Sequence, residues 1–501
     1  MAISVLAHRD ELGVKGARLF IDGTWQEGGA DPWTHVHPAS NEDVVTFGTA
    51  TEAQVAEAVA AARRAFDDGG WTSWGARDRK RLLQRISTLI AEHGEELDRL
   101  QTLDNGMPVS FSSIYQVSSG IAADIFDYHA GWVDRIAGET LPHYNGGPGV
   151  FLTFREPVGV VAGIIPWNAP LMLFAQKVAP ALAAGCTIVI KPSEYASLVT
   201  VRLVELCEEA GVPPGVLNLV LGTGPVVGEA LITSPLVDKI TFTGSRAVGQ
   251  RMMVAAADGI KRVSLELGGK SPNIVFPDVD LDGTAAGVMG MVSMGLSGQG
   301  CVCHTRALVH ESIYDEMIDK FALFASISTL GDPFDPGTTS GPLINGRQLE
   351  RVTGLIERGT EEGARLVCGG DRPDGDLATG NFVNPTLFAD VDNSMTIARE
   401  EVFGPVLAVI PFTNEEDAIR LANDTDYGLG ASVQTSDVKR ALRIAKAVRS
   451  GTFGINGYTV VPNLPFGGYK TSGMGREGGH EGIDAFLETK SVCIATGDSL
   501  I

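Results

Sequence analysis

The sequence predicts an α/β protein of more than one domain, built on parallel sheets. Three observations carry that prediction. A chain of 501 residues is too long for one compact core. From residue 158 onward, short β-rich runs alternate with helical patterns, the rhythm of a parallel sheet covered by helices on both faces. Hydrophobic residues at 44% and charged residues at 20% are ordinary for a globular chain and leave enough apolar surface to fill such a core.

Taken in order, Thr51 and Gln54 have the spacing of a capping box, and Val55, Val59, Ala62 and Phe66 follow at helical intervals. A second helix is expected from Asp78 to about Leu100, with Leu82, Leu83, Ile86, Leu89 and Ile90 on its apolar face; Asn105-Gly106 and Pro108 close that region. VGVVAGI (158–164) reads as a buried strand, Pro170 to Ala184 as a helix stopped by Gly185, and TIVIKP as the next strand. A helix ending at Gly211, the strands VLNLVLG, KITFTG and VSLELGG, and the helices between them complete a first sheet. The alternation restarts near 270 with NIVF and TRALVH, and returns at VLAVIPF (406–412) before the helix NEEDAIRLAN, which predicts a second α/β domain. The stretch around 133–156 and the tail ETKSVCIAT have strand character but belong to neither rhythm. They are expected to pair at a sheet edge, with each other or with another subunit.

A net charge of −22 with no basic cluster argues against nucleic acid and against an anionic membrane surface. No apolar run approaches the length of a membrane span, and the start, MAISVLAHRDELG, is no convincing secretory signal, so a cytoplasmic location is expected. The six cysteines, 186, 207, 301, 303, 368 and 493, are too sparse for a disulfide scaffold and lack zinc-site spacing; reduced thiols and no metal are expected.

Several residues stand in contexts that suit chemistry. Cys301 follows Gly298-Gln299-Gly300, where glycines admit substrate and backbone; a lone cysteine is more often a buried structural thiol, but the local pattern favours a nucleophile. Glu266 ends a β-rich run before two glycines, a place for a general base at a strand's carboxyl end. Asn168, after Pro166-Trp167, can donate to an oxyanion or cap the helix that follows. Lys191 and Glu194 follow the strand TIVI and suit ribose hydroxyls. The turns Gly222–Gly228 and Gly244–Gly249 are glycine-rich, yet neither is the G-x-G-x-x-G fingerprint.

PWN, KPSE, FTGS, LELGGK, GQGC, EEVFGP and PFGGYKTSGMGRE occur in this order between about residues 20 and 490, and together they resemble the aldehyde dehydrogenase superfamily. The resemblance implies a Rossmann-like cofactor domain (1–130 and 150–265), a catalytic domain (266–477) and a small β oligomerisation arm (131–149 and 478–501), assembled as a homodimer or homotetramer. It implies that Cys301 is the nucleophile and Glu266, 35 residues earlier, the base that activates water. Asn168 and the Cys301 backbone N–H would hold the oxyanion, and Lys177 and Glu477 would support proton movement. Lys191, Ser193 and Glu194 would meet the adenosine ribose of NAD, with NADP as the lesser alternative. Ser245 and its helix would meet the pyrophosphate, Trp167 and Pro225 would border the cofactor, and Glu401 would hold the nicotinamide ribose beside Phe403. The remaining cofactor contacts implied are Ile164, Ile165, Pro166, Gly224, Gly228, Phe242, Thr243, Gly244, Val248, Leu267 and Gly268.

The implied reaction oxidises an aldehyde to its acid through a thiohemiacetal and a thioester on Cys301. Two other readings remain at this level: a coenzyme-A-acylating enzyme, in which Glu266 would be dispensable, and a non-enzymatic protein on the same fold. The expected aldehyde pocket is largely apolar, drawing on Phe111, Met172, Phe174, Met294, Leu296, Val302, Tyr458 and Leu464. Cys303 is expected to be a small packed residue. His304 departs from the small residue that similar sequences carry there, and Arg246 puts a cation at a helix start.

Overall fold

The computed structural model describes residues 3–114, 116–146 and 149–494. Its first sheet has eight strands. Five central parallel strands lie in the order Leu217–Leu219, Thr187–Pro192, Val160–Ile165, Lys239–Thr243, Arg262–Glu266. The N-terminal hairpin Leu19–Ile21 and Thr24–Gln26 extends one edge, and Gly473–Met474 joins the other, antiparallel to Arg262–Glu266. The helix Pro170–Ala184 lies between two of these strands and is buried nearly throughout. It stops at Gly185 in the left-handed region, as the sequence predicts. The capping box at Thr51 and Gln54 also forms.

The second sheet has seven strands, and its core is Thr386–Ala389, Val406–Phe412, Arg306–His310, Pro272–Val275 and Ser432–Gln434, all parallel. Alternation with period two feeds both faces. Ile274, Leu308, Ala408 and Ile410 enter one hydrophobic cluster, while Val275, Ala307, Val309, Leu407 and Val409 enter the other. A sheet buried on both sides explains why these strands read as continuous apolar runs.

Three features differ from the sequence reading. The helix expected over Asp78 to Leu100 is two helices, Ala76–Glu92 and Gly94–Asn105, divided at His93 and Gly94, because glycine weakens the helix interior. Residues 150–157, drawn within the cofactor domain, instead form the strand Val150–Pro157, which pairs along its whole length with Leu487–Ile494 and at one end with Thr140–Leu141. The two segments that fitted neither rhythm therefore pair with each other. Residues 473–474, drawn within the catalytic domain, close the edge of the first sheet. The last part of the expected arm, 495–501, lies outside the described residues.

Candidate active site

In the first sheet the chain steps outward from Val160–Ile165 in one direction, then returns to add Lys239–Thr243 on the other side. The crevice outside the carboxyl ends at such a reversal is where open α/β sheets bind ligands. The segments that meet there are 166–168 and 244–245. Ser245 sits at the N-cap of the helix Arg246–Gly259, yet its side chain makes no capping bond, so the first N–H groups of that helix remain available to an anion. Arg246 is not aimed at that end; it pairs with Asp426 at 3.2 Å.

The neighbouring strand carries Lys191 one residue before its end; its buried Nζ donates to the Pro192 carbonyl at 3.0 Å and lies 3.8 Å from Glu194. Burial lowers the Lys191 pKa, and Glu194 opposes that shift. Gly224 and Pro225 are exposed at the start of the turn Gly224–Gly228. Trp167 packs edge-on against Phe403, with ring centroids 5.5 Å apart. Glu401 accepts the Gly269 N–H at 3.0 Å, and burial pushes its pKa up to about 7. A helix N-terminus, two carboxylates able to accept from ribose hydroxyls and a half-exposed aromatic pair suit a dinucleotide. The side chains of Ile164, Ile165, Phe242 and Leu267 are buried, which leaves mainly their backbone to offer. Thr243 turns its hydroxyl to Lys177 and away from the crevice, at 2.7 Å.

Glu266 is the last residue of Arg262–Glu266 and Cys301 lies in the loop before Arg306–His310, so the two come from different sheets. Their approach is fixed by glycines. Gly269 lies so close to the Cys301 carbonyl that a Cβ there would collide with it, and a Cβ on Gly298, at φ +71°, would strike the Gly404 backbone. LELGGK, GQGC and EEVFGP are therefore interlocked, which is why widely separated motifs share one site. Arg306, fully buried, donates to the carbonyls of Lys270, Leu421 and Ala422 and to Asn393, clamping the turn that follows Glu266.

Asn168 is not the helix cap that was one of its two expected roles. Ala169 holds that position, and Asn168 Nδ2 donates to the Gln299 carbonyl at 3.0 Å, two residues from the cysteine. Asn105, from the predicted Asn-Gly turn, donates to the Trp167 carbonyl at 3.0 Å and steadies this segment. Gln299, inside GQGC, is a functional support that the motif alone does not reveal. Its side chain bonds Leu296, Pro342 and Ile344 backbone groups and fixes the loop that carries Cys301.

Glu266 is 2% exposed, and its Oε2 has no hydrogen-bond partner among the described residues. Burial, then the charge of Glu477, raise its pKa well above the usual carboxylate range; Lys177 and Arg476 oppose this. Lys177, fully buried, donates to Glu477 and to Thr243, so the pair expected from the resemblance is in direct contact. Cys301 is partly exposed as a residue, while burial of its thiol by protein, then Glu401 and Glu266, raise its pKa. The resting group is therefore a thiol that must hand its proton to a base.

All six cysteines are unpaired. Cys303 is a packed residue whose thiol donates to the Met291 carbonyl at 3.4 Å. His304 is wholly buried, against the Met291 sulfur at 3.0 Å and edge-on to Tyr458 at 4.9 Å; burial lowers its pKa to about 4, so it is a neutral packing group. Phe174, expected in the aldehyde pocket, is fully buried with its ring centroid 6.4 Å from that of Phe126, and belongs to the core.

The model of the aldehyde dehydrogenase family matches residues 25–492. An aldehyde dehydrogenase of Enchytraeus buchholzi is 44% identical, over 98% of each chain. The mitochondrial succinate-semialdehyde dehydrogenase of Arabidopsis thaliana is 42% identical over 95% of this chain and 88% of its own. The solved structure of betaine aldehyde dehydrogenase from Staphylococcus aureus, in complex with NAD+, superposes with a TM-score of 0.96 at 37% identity, covering 99% of this chain and 98% of that one. The chain belongs to the aldehyde dehydrogenase family and is an NAD(P)-dependent enzyme that oxidises an aldehyde to the carboxylic acid.

Proposed function

We propose that Cys301, Glu266 and Asn168 carry out this oxidation, supported by Lys177 and Glu477. The observation that carries the reading is the convergence of a thiol, an unpartnered buried carboxyl and an amide from three separate elements. NAD would lie against Pro166, Trp167, Lys191, Ser193, Glu194, Gly224, Pro225, Gly228, Gly244, Ser245, Val248, Gly268, Glu401 and Phe403. When bound, it supplies the acceptor for the aldehyde hydride.

The Cys301 proton passes to Glu266 as sulfur adds to the carbonyl carbon; the C–S bond forms and the carbonyl π bond opens to an oxyanion. The Asn168 amide and the Cys301 backbone N–H hold that oxygen, each contributing about 3–4 kcal/mol. After oxidation the acyl group remains on Cys301 as a thioester. Lys177 and Glu477, whose charges both act on Glu266, would carry that first proton onward from it. The freed Glu266 carboxylate then takes a proton from water as the water oxygen adds to the thioester carbon, and the C–S bond breaks to release the acid and a Cys301 thiolate, which regains its proton from Glu266. The test is Glu266→Gln, in which the Cys301 proton must go to solvent instead: one equivalent of NADH still forms, more slowly than in the wild type, but steady turnover is lost; unchanged turnover contradicts the base assignment.

The two large sheets and the three-stranded sheet correspond in this reading to a cofactor domain, a catalytic domain and an oligomerisation arm. Leu141, Val150, Phe154 and Ile494 expose apolar surface on the small sheet, and Val248, Met253, Val254 and Ile260 do so near the helix Arg246–Gly259. Covering such patches supports a homodimer or homotetramer. Light scattering in solution tests this, and a monomer at micromolar concentration contradicts it. Six free thiols favour the cytoplasm. Among the described residues no helix is long and apolar enough to cross a membrane.

A further inference from the structure

The helices Ser119–Ala130 and Pro170–Ala184 pack together, and between them and the segment 460–462 lies a small cavity. Its space of about 10 Å³ admits roughly one water. Ile121, Ile125, Met172 and Pro462 make most of the wall apolar, but His129 and Gln176 also line it. Both are buried, His129 completely and Gln176 to 5% exposure. His129 Nδ1 lies 2.8 Å from the Ile125 carbonyl, which can only accept, so Nδ1 carries the ring proton. Burial lowers the His129 pKa to about 4, so the ring is neutral and its Nε2 is a bare acceptor. Neither Nε2 nor the Gln176 Oε1 has a partner among the described residues. Two buried acceptors thus face one cavity with nothing donating to them.

Both walls of the cavity belong to segments that run on to the reacting centre. Asn168 immediately precedes the helix that begins at Pro170, and Met172 and Gln176 follow at a four-residue spacing on one face. At 1.5 Å per residue, Gln176 lies about 12 Å along that helix from Asn168, with its side chain leaning back toward the helix start. On the other wall, Tyr458, whose phenol is influenced by Cys301 and Glu266, opens the segment that reaches Val460 and Pro462.

We propose that this cavity is the far end of the aldehyde pocket, and that His129 and Gln176 select aldehydes whose tail ends in an uncharged hydrogen-bond donor, a hydroxyl or primary amide. This rests on Cys301 as the nucleophile. Among the described residues no carboxylate lines the cavity to meet a cation, and no lysine or arginine to meet an anion. A quaternary ammonium has no N–H to donate, and its usual partner, an aromatic cage, is not formed by the described residues of the wall. In the free enzyme a water suits the site, since it can donate to both acceptors. A tail hydroxyl takes one of them on arrival.

The experiment compares kcat/KM for straight-chain aldehydes of five to eight carbons ending in hydroxyl, methyl, trimethylammonium or carboxylate. The hydroxyl series should exceed the methyl series by about 10-fold or more, because a methyl tail leaves the acceptors unpaired. Both charged series should fall below it. In Gln176→Leu the hydroxyl-to-methyl ratio should drop toward one, and His129→Phe serves as the second variant should the first not fold. A ratio unchanged in both variants, or a wild-type preference for either charged tail, overturns the proposal. Turnover of no member of the series would instead overturn the Cys301 assignment beneath it.

Discussion

The two large sheets share an architecture but present opposite ends to the site. Every contribution of the first sheet lies at a strand's carboxyl end: 166–168 after Val160–Ile165, 191–194 after Thr187–Pro192, Ser245 after Lys239–Thr243, and Glu266 itself. Every contribution of the second lies before a strand: Gly269 before Pro272–Val275, Cys301 before Arg306–His310, Glu401 and Phe403 before Val406–Phe412. Carboxyl ends of parallel strands feed helix N-termini, whose free N–H groups favour anions. Amino ends receive the chain from helix C-termini, where anions gain nothing. The nucleophile follows the helix Leu281–Ser293, and its thiol pKa is raised, not lowered. One sheet is thus placed to bind phosphate, and the other holds a cysteine that depends on a carboxylate borrowed from the first.

The largest effect should come from the second sheet's end of the site. Cys301→Ala removes the group that carries the acyl intermediate, and kcat should fall by roughly 10⁴–10⁶-fold while NAD still binds, as nucleotide fluorescence would report. Retained turnover would break the division of labour. At the first sheet's end, Asn168→Ala leaves the oxyanion one donor short, and kcat should fall about 10²–10³-fold with little change in KM. A loss confined to KM would make Asn168 a substrate-positioning group only.

The junction between the sheets can be weakened without touching either group. Arg306→Met strands the carbonyls of Lys270, Leu421 and Ala422, and should cost about 3 kcal/mol in urea unfolding. A midpoint equal to wild type would mean that the clamp contributes nothing. The smallest effect concerns cofactor choice. Glu194→Ser removes the carboxylate expected to accept from a free 2′-hydroxyl and to repel a 2′-phosphate, so the NADP-to-NAD ratio of kcat/KM should rise about 10-fold. No change would place the ribose elsewhere.

Much of this was legible because motif and period both leave traces in sequence. The strand ends at Ile165, Pro192, Thr243 and Glu266 followed from apolar runs punctuated by proline and glycine, and the helix Pro170–Ala184 was bounded by its own proline and glycine. What escaped depends on contacts between distant residues. Nothing local distinguishes an Asn that caps a helix from one turned toward Gln299. The stretch around 133–156 and the tail ETKSVCIAT were legible as edge strands that pair with each other or with another subunit; that Val150–Pro157 takes Leu487–Ile494 of its own chain is decided by the partner strand. His129 and Gln176 are single polar residues in apolar helices, and only the fold shows that they face one cavity.

That a carboxylate of the first sheet serves a cysteine of the second can be read from stopped-flow measurement of NADH formation with Glu266→Gln across pH. In the wild type, steady turnover should rise with pH through the raised pKa of Glu266, because the base acts only when ionised and loses that role as pH falls below it. In the variant, a slowed burst of about one NADH per site should be followed by turnover lowered roughly 10²–10⁴-fold, with that pH limb gone. A variant that turns over at the wild-type rate with the same pH profile would contradict the claim.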